Sequence, residues 1–189
     1  IPDMLGHFST AWPGVRLELQ QGDTHEVIRL LQDERVELAV VGGHIDDDSI
    51  NMQEVMTERI VLVARPGLSP VGILEYNQLA QLPLVIREAG SGTRTAVDSA
   101  LQKNGIDPRR LRVVAQLGSS EAVRRAVLSG AGAAFVSTLA VGHELADGTL
   151  IELTVSGLTI NRSFYLAWRR GKSLSPAALE FMAMVKRSR

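Results

Sequence analysis

Arg87-Glu88-Ala89-Gly90-Ser91-Gly92-Thr93-Arg94 (R-E-A-G-S-G-T-R) lies between two segments of different periodicity. The apolar run before it, Pro83-Leu84-Val85-Ile86, reads as a strand entering a sheet. After it, Val97, Ala100 and Leu101 fall at helix spacing, and Gly105 is placed to end that helix. The order is therefore strand, glycine-rich turn, helix N-terminus. The free N–H groups and the dipole of such a terminus suit an anion, with Ser91 and Thr93 as added hydroxyl donors. Gly90 and Gly92 permit the tight turn and a close approach of ligand to backbone. The same residues also fit a plain βα turn with Ser91 or Thr93 as N-cap, and locally both readings stand.

The same alternation extends outward on both sides. Residues 4–11 read as the end of a helix that stops before Pro13, and residues 15–20 (V-R-L-E-L-Q) alternate as a half-buried strand. Asp23 caps the next helix, with Glu26 completing a capping box and Val27, Leu30 and Leu31 on the buried face. Residues 36–41 (V-E-L-A-V-V) are nearly continuous apolar, as expected of a parallel strand covered on both faces. Asp46-Asp47-Asp48 lacks the ligand spacing and glycine turn of a calcium loop and reads as solvated. Residues 58–65 (E-R-I-V-L-V-A-R) form a strong strand, which Pro66-Gly67-Leu68-Ser69-Pro70 interrupts.

Beyond that break, residues 77–80 read as a short helix, followed by the strand, turn and helix already described. A strand at 111–117 follows, then a helix opened by Gly118-Ser119-Ser120-Glu121 with Ala122, Val123, Ala126 and Val127 on one face. A buried strand at 133–136, a helix at 138–146, an extended stretch at 150–155 and a strand at 163–168 come next. Ser175-Pro176 starts a last helix that runs to about Lys186 and is expected to bury Leu179, Met182 and Val185. Strands alternating with helices imply parallel-rich sheets, and similar units on either side of the break imply two lobes. Ligands of open α/β sheets sit beyond the carboxyl ends of strands, where residues 22–24, 90–94, 118–120 and 137–138 all fall.

The composition agrees and removes several function classes. With 189 residues, 45% hydrophobic and 22% charged, the chain can build one good-sized core or two small ones. Seventeen glycines and 4% aromatics suit an α/β protein with many tight turns. A net charge of −1 gives no reason to expect nucleic-acid binding, and Lys186-Arg187-Ser188-Arg189 reads as a solvated tail. The absence of cysteine excludes disulfides, thiolate metal sites and cysteine nucleophiles. No apolar run is long enough to span a membrane, and Ile1-Pro2-Asp3-Met4 shows no signal-peptide pattern; a start at Ile1 reads as a fragment.

Catalytic motifs do not form. Ala89-Gly90-Ser91-Gly92-Thr93 has the wrong spacing for a nucleophile elbow, and Thr95 stands where a dinucleotide fingerprint needs its third glycine. No lysine follows the turn as in a P-loop. His7, His25, His44 and His143 are too dispersed to suggest a metal pair. Glu88, the acid nearest to Ser91 and Thr93, reads as an ion-pair partner of Arg87 or Arg94, or as solvent-exposed. Binding without catalysis, metal or cofactor is the favoured class.

Six segments in order carry a resemblance: residues 13–27 (P-G-V-R-L-E-L-Q-Q-G-D-T-H-E-V), 37–41 (E-L-A-V-V), 58–66 (E-R-I-V-L-V-A-R-P), 83–94 (P-L-V-I-R-E-A-G-S-G-T-R), 118–132 (G-S-S-E-A-V-R-R-A-V-L-S-G-A-G) and 174–181 (L-S-P-A-A-L-E-F). Together they span essentially the whole chain, which resembles the effector-binding domain of LysR-type transcriptional regulators. The resemblance implies a two-lobed α/β fold like that of type 2 periplasmic binding proteins, with two crossovers and an interlobe effector cleft. Residues 1–65 with 162–189 would form lobe I and 66–161 lobe II, with crossovers at Pro66 and at Asn161-Arg162. Thr24, Ser137 and Thr138 match cleft residues of the family, beside Ser91, Gly92, Thr93 and Arg94. The S-G-T-R turn resembles a subgroup regulating sulfur assimilation and carbon fixation, whose effectors are typically small anionic metabolites. A cytoplasmic homodimer or tetramer is implied, touching DNA only through a winged helix-turn-helix that would precede Ile1, and with no membrane partner. The family's first strand and its Ser/Thr turn would also precede Ile1. A solute-binding protein of a transport system shares the fold and is the competing expectation, ahead of an enzyme on the same scaffold.

Overall fold

The computed structural model describes residues 2–69 and 72–187. Ile1, Pro70 of the proline–glycine break and Ser188-Arg189 of the basic tail therefore lie outside the described residues. In chain order the first elements are α1 (Pro2–Ala11), α2 (Thr24–Gln32), β1 (Ala39–Gly42), β2 (Ile50–Ala64), β3 (Ile73–Leu74), α3 (Tyr76–Gln81), β4 (Leu84–Arg87) and α4 (Gly92–Lys103). They are followed by β5 (Val113–Leu117), α5 (Ser120–Leu128), β6 (Ala134–Ser137), α6 (Thr138–Ala146), β7 (Ile151–Val155), β8 (Ile160–Arg169) and α7 (Pro176–Arg187). The chain divides into two compact units, Ile1–Thr57 with Ser163–Arg189, and Glu58–Arg162. No helix among the described residues is long and apolar enough to cross a membrane.

In the first unit, α2 starts on a reciprocal capping box. Glu26 N donates to Asp23 Oδ1 at 2.9 Å, and Asp23 N donates to Glu26 Oε2 at 3.0 Å. Ile28 and Leu31 of this helix pack on Ala39 and Val41 of β1 and on Ala167 of β8. The neighbouring Leu166 falls in a different cluster, with Val55 of β2 and Met182 and Val185 of α7, so β8 is covered on both faces. Three expectations are corrected here. β1 pairs antiparallel with β8, Ala39 opposite Ala167, rather than parallel, because a continuous apolar run reports two covered faces and not strand direction. Residues 15–20 form no strand: Val15 and Leu17 are half-buried and Leu19 is exposed, but no described strand offers that stretch a ladder. On α7, Leu179 is 52% exposed while Ala178, Met182 and Val185 are buried. Those three are spaced i, i+4, i+7 and stay on one stripe, whereas Leu179 is turned about 100° from Ala178.

In the second unit, the later half of β2 is the central strand. Its alternate residues enter two cores: Ile60, Leu62 and Ala64 pack with Leu79, Val97 and Leu101, and Val61 and Val63 with Val123, Val127 and Val141. β2 is flanked by β6 (Ile60 opposite Ser137) and β7 (Leu62 opposite Leu153), both antiparallel. Parallel pairing is confined to β3 with β7, β4 with β5, and a bridge from Leu84 to Ala133. The sheets are thus mixed rather than parallel-rich, since β2 enters against its neighbours without a helical crossover. The division between units falls inside β2 and β8, at 57/58 and 162/163, with Pro66 two residues past the end of β2.

Gly132 seats β6 against β4. Ala133 N donates to Pro83 O and Val85 N to Ala133 O, each at 2.8 Å. Gly132 has φ 155°, and a Cβ there would lie 2.2 Å from the Pro83 carbonyl oxygen, closer than any side chain tolerates. Gly132→Ala is expected to destabilise the chain by about 3 kcal/mol, through backbone strain and forced separation of β6 from β4. Urea unfolding checks this, and a midpoint equal to that of the parent chain refutes it.

Candidate functional site

The turn from β4 to α4 is built as the glycine spacing requires. Glu88 N donates to Leu117 O at 3.1 Å, keeping β4 against β5 to its end. Gly90 then takes φ 92°, a conformation that side chains disfavour, and Ser91 N closes the turn on Glu88 O at 3.3 Å. Gly92 needs no such φ and is the first residue of α4. Ser91 is the extended N-cap; its carbonyl accepts from Thr95 N at 3.0 Å and from Thr95 Oγ1 at 3.2 Å. Its hydroxyl makes no capping hydrogen bond although the residue is 3% exposed. The amides of Gly92, Thr93 and Arg94 have no acceptor within the helix, by the geometry of any first turn.

Four other helix starts already carry a side-chain cap. Asp23 caps α2; Ser119 Oγ accepts from Ala122 N at 3.1 Å in α5, Ser137 Oγ from Leu139 N at 3.1 Å in α6, and Ser175 Oγ from Ala178 N at 3.2 Å in α7. In addition α2 and α5 carry an acid in the first turn, Glu26 and Glu121. Glu121 is pulled down to about 2 by hydrogen bonds from the guanidiniums of Arg124 and Arg125. α4 has neither a side-chain cap nor a first-turn acid. Its positive end is therefore uncompensated and suits an anion.

The predicted residues take different places. Thr93 is buried, and its Oγ1 accepts from Arg162 Nη1 at 2.8 Å. Arg162 Nη2 forms an ion pair with Glu58 Oε1, and Ser137 Oγ donates to Glu58 Oε2. Thr93, Arg162, Glu58 and Ser137 thus form one continuous polar network inside the second unit. Thr138 lies beside it, its hydroxyl donating to Arg59 O at 3.2 Å. Arg94 turns along its own helix, Nε donating to Asp98 Oδ2 at 2.6 Å. Thr24 belongs to the other unit, half-buried at the first position of α2. Arg87 Nε and Nη2 grip both oxygens of Glu88, each at 2.7 Å, while Nη1 reaches Ser120 Oγ at 2.6 Å. Among the described residues no His, Asp and Glu cluster that could hold a metal ion forms.

Glu58 and Arg162 were not assigned to the site from sequence; Arg162 stood only as part of the Asn161-Arg162 crossover. Each flanks an apolar strand, where a charge ordinarily reads as a solvated end. The available signal was their placement: opposite charges at the two points where the chain passes between units.

The family described as LysR substrate binding domain matches residues 1–189. The chain is 35% identical over 187 residues to the phosphonates import ATP-binding protein PhnC of Anaeromyxobacter dehalogenans, covering 98% of this chain and 38% of that protein. It is 29% identical over 185 residues to the HTH-type transcriptional regulator CbbR of Rhodospirillum rubrum, covering 98% of this chain and 61% of the regulator. Among solved structures it is similar to the Synechocystis PCC6803 CcmR regulatory domain in complex with 2-PG, with TM-score 0.86 and 27% identity, covering 99% of this chain and 89% of that one. The chain thus spans less than two thirds of the length of these curated relatives.

The contrast among the capping serines is open to direct measurement. Ser119→Ala removes a cap and is expected to cost about 1 kcal/mol, whereas Ser91→Ala should change the ligand-free stability by no more than about 0.5 kcal/mol. Chemical denaturation of both variants tests this. Equal losses would show that Ser91 is an ordinary cap.

Proposed function

The chain belongs to the LysR substrate binding domain family, and on that premise we propose that it is the ligand-sensing domain of a transcriptional regulator, taking a small anionic metabolite at the N-terminus of α4. The observation that carries the reading is that Ser91 is buried, makes no side-chain cap, and stands at a helix start with no acid of its own. Ser91 and the amides of Gly92, Thr93 and Arg94 would supply the hydrogen bonds. Thr93 and Ser137 bring the charged pair behind them, and the Arg94 side chain is assigned to Asp98 rather than to the ligand. Thr24, Thr138 and the two-lobed organisation carry over from the family resemblance.

Binding rather than chemistry is supported by Glu88, whose carboxylate is held by both arms of Arg87 and is not available as a base. The family match outweighs the solute-binding reading. In the full protein the domain would act in the cytoplasm as a homodimer or tetramer and reach DNA through a helix-turn-helix domain outside this chain. An effector would regulate by binding one state of the protein more tightly than another, which is the only way a ligand moves an equilibrium.

A thermal-shift series with sulfate, inorganic phosphate, short carboxylates and 2-PG tests the anion site. One of these is expected to raise the melting temperature saturably, by the equivalent of about 2.7 kcal/mol at a hundred times its Kd. Ser91→Ala should reduce the shift. No shift from any anion, or a shift that Ser91→Ala leaves unchanged, counts against the site.

A further inference from the structure

Resting on the anion site above, we propose that Arg162 is its specificity-determining cation and that Glu58 is a built-in competitor that holds Arg162 and lowers the affinity for anions. Thr93 is the second residue of α4, so the Nη1 that donates to its hydroxyl at 2.8 Å brings a full positive charge to the first helical turn. The dipole of α4 contributes only a partial charge there. A guanidinium, being planar with five donors, can serve Thr93 and Glu58 at once, which a lysine ammonium does less well.

Glu58 and Thr93 are not equally movable as partners of Arg162. Glu58 is 6% exposed and its second oxygen is held by Ser137. Ser137 is in turn committed as the cap of α6 through Leu139 N. Glu58 is therefore anchored from behind, while Thr93 offers a neutral hydroxyl that an anionic oxygen can replace. An anion at α4 takes the Nη1 side of Arg162 and shares its charge with Glu58. The carboxylate then acts against the ligand through their common cation and through repulsion, which is weakly screened in a buried network. Affinity is thereby set below what an unopposed arginine at a helix terminus would give, and neutral ligands gain nothing from the pair.

This arrangement predicts opposite signs for its two members. Titration calorimetry of the 189-residue chain with 2-PG and with inorganic phosphate reads them directly. Glu58→Gln keeps the shape and an acceptor for Ser137 but removes the competing charge, and should tighten anion binding about tenfold. Arg162→Lys keeps a charge opposite Glu58 but loses the fork, and should weaken binding at least tenfold. A structural pair would move both variants the same way, and parallel weakening, or an unchanged Kd in Glu58→Gln, overturns the inference while leaving the anion site standing. If Glu58→Gln does not fold, the doubly neutral Glu58→Gln with Arg162→Gln decides. It should give a cooperative melt and bind neither anion, and retained binding overturns the role of Arg162. If neither the parent chain nor Glu58→Gln takes either probe, the anion site and its arginine fall together.

Discussion

Burying a carboxylate removes several kcal/mol of hydration, and a protein keeps it charged only by returning that stabilisation through donors and an opposite charge. Glu58 presents this requirement at the first residue of the second unit, where it is buried in the middle of β2. The groups that meet it come from elements distant in sequence: Ser137 at the start of α6 and Arg162 on β8. Arg162 then spends a further donor on Thr93 of α4. One buried charge thus ties together both strands that pass between the units and the N-termini of two helices. Removing either charge would leave the other stranded, so the network must be satisfied as a whole.

Five of the described helix starts divide into two kinds. Those capped by Asp23, Ser119, Ser137 and Ser175 have their orphan amides served by local side chains, and α2 and α5 add an acid against the dipole. α4 is left unfinished at the same kind of position, with a buried serine that caps nothing and a threonine in contact with a buried cation. A fold optimised for stability alone would place an acid or a capping bond there.

Local chemistry was legible in the sequence, and long-range partnership was not. The capping box of Asp23 and Glu26, the Gly90 turn and the helix that follows it depend on residues within a few positions of one another, and all formed as read. Residues 36–41 revealed two covered faces, but strand direction depends on β8, more than a hundred residues away. Residues 15–20 alternate correctly for a strand and still lack one, because pairing needs a partner that alternation does not supply. Leu179 failed for a finer reason: a stripe counted in threes drifts around the helix, and the buried stripe runs through Ala178 instead. The site divided in the same way. Ser91, Gly92 and Thr93 are candidates from the turn alone, while Glu58 and Arg162 look like solvated strand ends until the fold brings them together.

A sensor has a different need from an enzyme, and the residues reflect it. Catalysis would require a base near Ser91, yet the one nearby acid in sequence, Glu88, is neutralised through two hydrogen bonds from Arg87. Regulation instead requires that ligand binding be felt by elements that the ligand does not touch. At the proposed site an anion engaging α4 would compete for the guanidinium that also holds Glu58, and Glu58 and Arg162 stand where the chain enters and leaves the second unit. The free energy of binding would then be partly drawn from the Glu58–Arg162 ion pair. A site opposed by an internal carboxylate would bind less tightly than an unopposed one, but every increment of binding would alter the same buried pair, which is how a ligand could be felt by elements it does not touch.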